Sequence, residues 1–309
     1  MGTRCTLAVY ADERRKGLVE LEEFVRILEQ TERELSTWRE DSVLSRLNRH
    51  PVGMAFILDK NLCSLLGRLL FWSRATGRAF DPGVGALIDV WGIRRDGGSW
   101  PSVEALESAQ WRSGAEHLVL QTAPCRVIRE RDVILDAGAF GKGEALDRVA
   151  AEALRRGTPP WLIDLGGQTI VGSTTPTNRS WKISIAHPSK RGEPFLEVEL
   201  DSGVLATSGG SERSISVNGQ SINHILDPRS GQPAGFRGSV TVWHPRGFTA
   251  DILSTALYVM GPEEGLSWAE ARDLAVCFFV LSDDTSSDSY QVDVRPSHIF
   301  RQRFLQDMK

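Results

Sequence analysis

Asp251 and Thr255 stand four residues apart in ADILSTALYVM, an apolar run whose periodicity predicts a helix. That spacing stacks a carboxylate and a hydroxyl on one helix face. Both are hard oxygen donors, and with waters and phosphate oxygens completing the shell they suit Mg²⁺. A plainer role fits the same residues: an acid complementing the helix dipole, and a Thr bonding back to its own backbone. Upstream, TSGG brings Thr207 and Ser208 to a glycine turn, and NHILDPRSGQP sets His224 just ahead of an Asp227-Pro228 turn. An imidazole there suits a general base at neutral pH, whereas a turn histidine would instead bond a neighbouring carbonyl. Ser208 lacks the G-x-S-x-G frame of a serine hydrolase, which sets that chemistry aside.

A second cluster lies in DAGAFGKGEALD, residues 136–147. Gly138, Gly141 and Gly143 separate an expected strand from an expected helix over about 143–156, with Lys142 inside the loop. Glycines admit backbone N–H groups to a phosphate, a helix start favours negative charge, and Lys adds a point charge. The spacing G-x-x-G-x-G matches neither a Walker loop nor a dinucleotide fingerprint, and a tight strand-to-helix turn would use the same glycines. Asp164-Leu165-Gly166-Gly167 forms another glycine turn after an apolar strand. Trp38, between Thr37 and Arg39, is either a stacking platform for an aromatic ligand or an ordinary core or surface Trp.

The elements that must position these groups alternate in texture along the 309 residues. A strand over about 4–10 precedes an amphipathic helix with Leu18, Leu21, Val25 and Leu28 at helical spacing. A second helix over about 59–76 carries Leu62, Leu65, Leu66, Leu69 and Leu70 and stops at Gly77. Residues about 94–115, with Asp96-Gly97-Gly98 and a short helix from about 101 to 113, read as a surface excursion. From 116 onward short β-type runs dominate, interrupted by the helix whose stripe is Ala145, Leu146, Val149, Ala153 and Leu154, and by helices near 249–271. Strands that follow one another, with helices in groups, predict an α+β fold of largely antiparallel sheet in one two-lobed domain.

Composition narrows the classes. Thirty-six basic against 40 acidic residues, without long runs of either sign, exclude a nucleic-acid footprint. Cys5, Cys63, Cys125 and Cys277 are scattered without a C-x-x-C pair, so neither a zinc site nor a disulfide framework is expected. No membrane-length apolar run or signal peptide is present. A cytoplasmic protein and an exported one whose leader has been removed both fit; membrane association would need an export or lipoprotein segment outside this stretch.

Taken in order, these motifs resemble the FAD:protein FMN transferase family, the ApbE family. Met1-Gly2-Thr3 looks like its M-G-T opening, and STWREDSVLSRLN is similar to its S-x-Y-x-x-x-S-x-[IL]-x-x-L-N segment. TGRAFDPGVGALIDVWG, LDAGAFGKGEALD, IDLGGQ, TSGGSER, HILDPRSGQP and ADILSTAL follow in register over nearly the whole chain. The departures are Trp38 for Tyr, Gly141 for Ala, Ala86 for Pro, Gly210 for Asp or Asn, Ser230 for Thr, and Asp164 and Gln168 in the glycine turn. The resemblance implies a T-fold-like α+β architecture and Mg²⁺-dependent transfer of FMN from FAD to a Thr or Ser hydroxyl of an acceptor protein, with release of AMP. It implies Asp251, Thr255 and the Gly141 carbonyl as metal ligands, Asp136 as the acid reading the adenosine half, and Gly138 and Lys142 near the phosphates. His224 would help activate the hydroxyl, and Met1, Trp38, Thr207 and Ser208 would line the flavin pocket. A Mg²⁺-dependent FAD pyrophosphatase, with water replacing the hydroxyl, and a non-catalytic FAD carrier share the same motifs.

Overall fold

A computed structural model describes residues 3–94, 98–177, 179–190, 192–210, 214–217, 220–282 and 291–306. The chain runs β1 (Cys5–Val9), α1 (Arg14–Leu35), α2 (Val43–Arg49), β2 (Ala55–Ile57), α3 (Lys60–Ala75), α4 (Gly85–Val90), α5 (Val103–Trp111), β3 (Leu118–Thr122) and β4 (Cys125–Arg129). It continues through α6 (Gly141–Arg156), β5 (Trp161–Leu165), β6 (Gln168–Val171), β7 (Trp181–Ala186), β8 (Pro194–Leu200), β9 (Gly203–Gly209), β10 (Ser214–Val217) and β11 (Gln220–Asn223). The remaining elements are β12 (Leu226–Asp227), β13 (Gln232–Pro233), β14 (Gly238–His244), α7 (Gly247–Glu270), β15 (Ala275–Ser282), β16 (Gln291–Pro296) and α8 (His298–Phe304). Residues 1–32, 140–212 and 236–309 form one compact unit, and residues 33–139 and 213–235 a second.

The first unit is built on a seven-stranded sheet in the order β1-β5-β6-β9-β14-β15-β16, antiparallel throughout. Strand alternation divides its side chains between two layers. Ile163, Leu165, Ile170, Val204 and Ala206 pack against Phe24, Ile27 and Leu28 of α1, Ala145, Leu146 and Val149 of α6, and Ala250 of α7. Val171, Leu205, Cys277 and Phe279 face the other way, onto the β7–β8 hairpin and Phe300 of α8. Between β5 and β6 the chain reverses in two residues, Gly166 and Gly167, both at positive φ, so that turn needs glycine for its handedness.

One expected apolar stripe is rotated, and another holds except at its last residue. On α1, Leu18 and Val25 are exposed, and Phe24 is fully buried edge-on against Trp161 at 5.3 Å. The largest apolar side chain sets the phase of a helix that offers several. On α6, Leu154 is 86% exposed, because the small Ala145 and Ala153 bring the helix close to the sheet and leave residue 154 beyond the contact. A kink at Gly261 (φ 78°), followed by Pro262, divides α7 where the helical hydrogen-bond ladder cannot continue.

In the second unit a three-stranded antiparallel sheet, β2-β4-β3, packs against α3. Cys63 of α3 and Cys125 of β4 form a disulfide with Cα atoms 6.1 Å apart, so a disulfide does form where none was expected. Sixty-two residues of sequence separate the pair, and only the packing of a helix on a strand brings them together. Leu106 and Ala109 of α5 join Leu87, Trp91 and Leu226 in one apolar cluster.

The run Val133–Leu135, expected as a strand, forms none. Its polar groups find other partners. The Asn48 side chain donates to the Leu135 carbonyl (2.9 Å) and accepts the Leu135 N–H (2.8 Å), and Gly85 N–H donates to Ile134 O (2.8 Å). A Cβ at Gly85 would fall 2.4 Å from Ile134 Cγ2, so glycine permits that approach.

Candidate functional site

In the first unit the sheet delivers the N-termini of α6 and α7 to each other. Asp251 is 2% exposed. Its Oδ2 accepts the Gly143 N–H at 2.9 Å, and its Oδ1 lies 3.4 Å from Lys142 Nζ. In return Asp147 of α6 accepts the N–H groups of Gly247 (2.6 Å) and Phe248 (3.1 Å) at the start of α7. Orphan N–H groups of two helix ends are thus satisfied by carboxylates from the opposite helix. The approach is close: a Cβ on Gly143 would lie 2.2 Å from the Gly247 carbonyl oxygen and 2.8 Å from Asp251 Cβ.

Thr255 Oγ1 donates to the Asp251 carbonyl at 3.2 Å, and Ser254 Oγ donates to the same carbonyl at 3.0 Å. The plainer, back-bonding role for Thr255 is therefore realised. It does not compete with metal binding, because a hydroxyl that donates its proton keeps its lone pairs. A carboxylate oxygen held, among the described residues, by a long contact with a Lys, a hydroxyl with its lone pairs retained and a backbone carbonyl at Gly141 are hard oxygen donors of the type Mg²⁺ takes. The residues present fit that ion.

Ser208 and Thr207 are neighbours on β9 and point to opposite faces. Ser208 Oγ donates to Ser254 Oγ at 2.9 Å, toward α7. Thr207 Oγ1 bonds Thr241 Oγ1 at 2.8 Å across the β9–β14 pair, on the face that carries Leu205. The structure therefore joins Ser208, through Ser254, to the Asp251 backbone, and does not bring Thr207 to the same layer. Met1 lies outside the described residues.

In the second unit Asp136 is held on three sides. Its Oδ1 accepts the Gly138 N–H at 2.8 Å; its Oδ2 accepts Thr37 Oγ1 at 3.1 Å and pairs with Arg94 Nη2. Asp136 N–H donates to Pro82 O at 2.8 Å, which anchors the residue immediately after the Asn48-clamped run. Trp38 is 69% exposed, so it is no core residue, and the Arg94 guanidinium lies over its ring at 5.9 Å.

His224 occupies the half-buried bend between β11 and β12. The neighbouring residues are fixed by a local turn, with Asn223 Oδ1 accepting Ile225 N–H at 3.0 Å. The D-P-R-S-G loop that follows is pinned from two helices: Trp91 Nε1 donates to Gly231 O and Gln110 Nε2 to Ser230 O, both at 2.8 Å. The W-G and D-P-R-S-G motifs, far apart in sequence, are thus two halves of one structural joint.

Sequence reasoning passed over Asp147, Ser254 and Arg94. Asp147 closes the glycine-loop motif, and its position one helical turn past Gly143 was the available signal. Ser254 and Arg94 carry no spacing that distinguishes them from other surface or helix residues.

An antiparallel α+β fold of this kind occurs in solved ApbE proteins. The apo flavinyl transferase ApbE of Pseudomonas stutzeri superposes with a TM-score of 0.83 at 27% identity, over 98% of this chain and 96% of that one. The ApbE protein of Thermotoga maritima gives 0.88, with the same identity and coverage. The ApbE family model matches residues 1–278, and the chain belongs to the ApbE family. Among curated relatives, the FAD:protein FMN transferase of Treponema pallidum is 32% identical over 300 residues, covering 92% of this chain and 83% of the relative. That of Vibrio cholerae is 31% identical over 267 residues, covering 85% and 79%.

Proposed function

We propose that this chain is an FAD:protein FMN transferase that uses Mg²⁺ to move FMN from FAD onto a Thr or Ser hydroxyl of an acceptor protein. The observation that supports it most is the buried Asp251 carboxylate between two helix N-termini with Lys142 alongside. Such a concentration of positive potential and hard oxygen donors suits a pyrophosphate and its cation. Asp251, Thr255 and the Gly141 carbonyl hold the ion, which supplies charge neutralisation at the pyrophosphate. Lys142 and the α6 N-terminus stabilise the AMP phosphate as it departs. His224 takes the hydroxyl proton as the oxygen attacks the FMN-side phosphorus; that P–O bond forms while the bond to the AMP phosphate breaks. Asp136 with Gly138 meets the adenosine half, and Trp38 and Ser208 serve the flavin.

Mass spectrometry of a Thr- or Ser-containing acceptor, after incubation with the protein, FAD and Mg²⁺, tests this reading. A gain of one FMN with stoichiometric AMP is expected. Free FMN and AMP with an unmodified acceptor would make the protein an FAD pyrophosphatase, and FAD bound without turnover would make it a carrier.

A further inference from the structure

We infer that Arg94 is a positioning residue for the adenosine side of the site, acting through Asp136; this rests on the reading of Asp136 as the acid that meets adenosine. Both members of the ion pair are mostly covered, with side-chain exposures of 21% for Arg94 and 13% for Asp136. Arg94 Nη2 also donates to Thr37 Oγ1 at 3.1 Å, and Nη1 lies 3.8 Å from Asp89 Oδ1. One guanidinium therefore ties together Asp136, Thr37 and Asp89 while lying against the Trp38 ring.

Counting lone pairs shows what this arrangement does. An ionised carboxylate offers about four acceptor positions. Oδ2 is filled by Arg94 and Thr37, and Oδ1 takes the Gly138 N–H, which among the described residues leaves a position on Oδ1 for a ligand donor. An exocyclic amine of an adenine or a ribose hydroxyl is a donor of that kind. Arg94 thus fixes which oxygen of Asp136 the nucleotide meets.

Charge gives the second argument. FAD brings an anionic pyrophosphate, and a partly buried carboxylate near its nucleotide end repels it unless a cation is paired with that acid. Arg94 cancels the charge without consuming the free oxygen. A lysine would supply the charge but neither the planar fork nor the face that lies against Trp38.

The experiment compares Arg94→Ala, Arg94→Lys, Asp136→Asn and the Arg94→Ala/Asp136→Asn double variant in steady-state FMN transfer. AMP and FMN are used as separate inhibitors, and melting temperature is followed throughout. Arg94→Ala is expected to raise KM for FAD about tenfold, the scale of one charge-assisted hydrogen bond, with kcat within about twofold. The AMP inhibition constant should rise in parallel and that of FMN should hold, with Arg94→Lys recovering little. The double variant should be no worse than Asp136→Asn alone. An unchanged KM in Arg94→Ala, a lowered melting temperature as its sole effect, or an equal rise in the FMN constant would overturn the assignment to Arg94. Asp136→Asn with unaltered FAD affinity would overturn the adenosine reading itself and the inference with it.

Discussion

Asp147 and Asp251 cap one another's helices: each carboxylate accepts backbone N–H groups at the start of the helix that carries the other. Asp251 is therefore a structural acceptor through Oδ2 and a candidate ligand through Oδ1, and the two roles can be separated by substitution. Asp251→Asn keeps a carbonyl oxygen for the Gly143 N–H and removes the charge. It should retain its melting temperature within a few degrees while transfer falls by about 10²–10³, the usual loss when one preorganised charge is removed. Asp251→Ala should lose both. Measuring melting and turnover on the two variants side by side checks this, and an active Asp251→Asn would remove the carboxylate from the chemistry.

Gly143→Ala introduces a methyl group 2.2 Å from the Gly247 carbonyl oxygen, between two backbones with no flexible side chain to give way. A cost of about 1–3 kcal/mol is expected from the forced separation of α6 and α7. Urea denaturation would register it. Activity per folded molecule should drop as well, since the same shift lengthens the Gly143–Asp251 bond.

His224→Ala is expected to fold and to bind FAD, with transfer reduced by roughly 10²–10⁴ through loss of the general base. The informative comparison is melting temperature against rate on one preparation. A destabilised protein with undiminished turnover would leave His224 as a turn residue only.

Replacing Cys63 and Cys125 together by Ala removes a link that closes a long loop in the second unit. A loss of about 2–4 kcal/mol is expected, with activity of the folded fraction intact. Chemical denaturation with and without a reductant should show the same difference in the wild type and none in the double variant.

His298 links α8 to the end of α7: Nδ1 pairs with Glu270, and Nε2 lies 3.3 Å from Asp273. The Glu270 hydrogen bond holds the imidazolium and raises its pKa above the ordinary value. The folded state thus binds the proton more tightly than the unfolded chain. The contribution is complete below the unfolded pKa of ~6.5 and is lost as pH rises through the higher folded value. Melting of wild type and His298→Gln, compared from acid to mildly alkaline pH, should differ most at the acid end.

Much of this was legible because backbone chemistry leaves a trace in residue type. The glycines of DAGAFGKGEALD mark a real close approach, and the i, i+4 pair does sit on one helix with its carboxylate inward. What it did not reveal depends on partners remote in sequence. Nothing local to Asp251 says that Gly143 will donate to it, and nothing near Cys63 points to Cys125. Thr207 and Ser208 illustrate a different limit: within a motif they look like a pair, but a strand's period of two sends them to separate layers. The α1 stripe erred where several apolar phases were available and the bulkiest side chain chose among them.

The Asn48 amide works as an index pin. Because it grips both the N–H and the C=O of a single residue, Leu135, it fits only one alignment of that run. Asp136 is the next residue along, so its placement is gauged by a side chain 87 positions from Leu135 and not by any neighbouring strand. Adding or deleting one residue between Arg129 and Leu135 would present a different residue to the pin and turn Asp136 away from Thr37 and Arg94. Loop length there should be the least forgiving dimension of the second unit, even though its composition can vary.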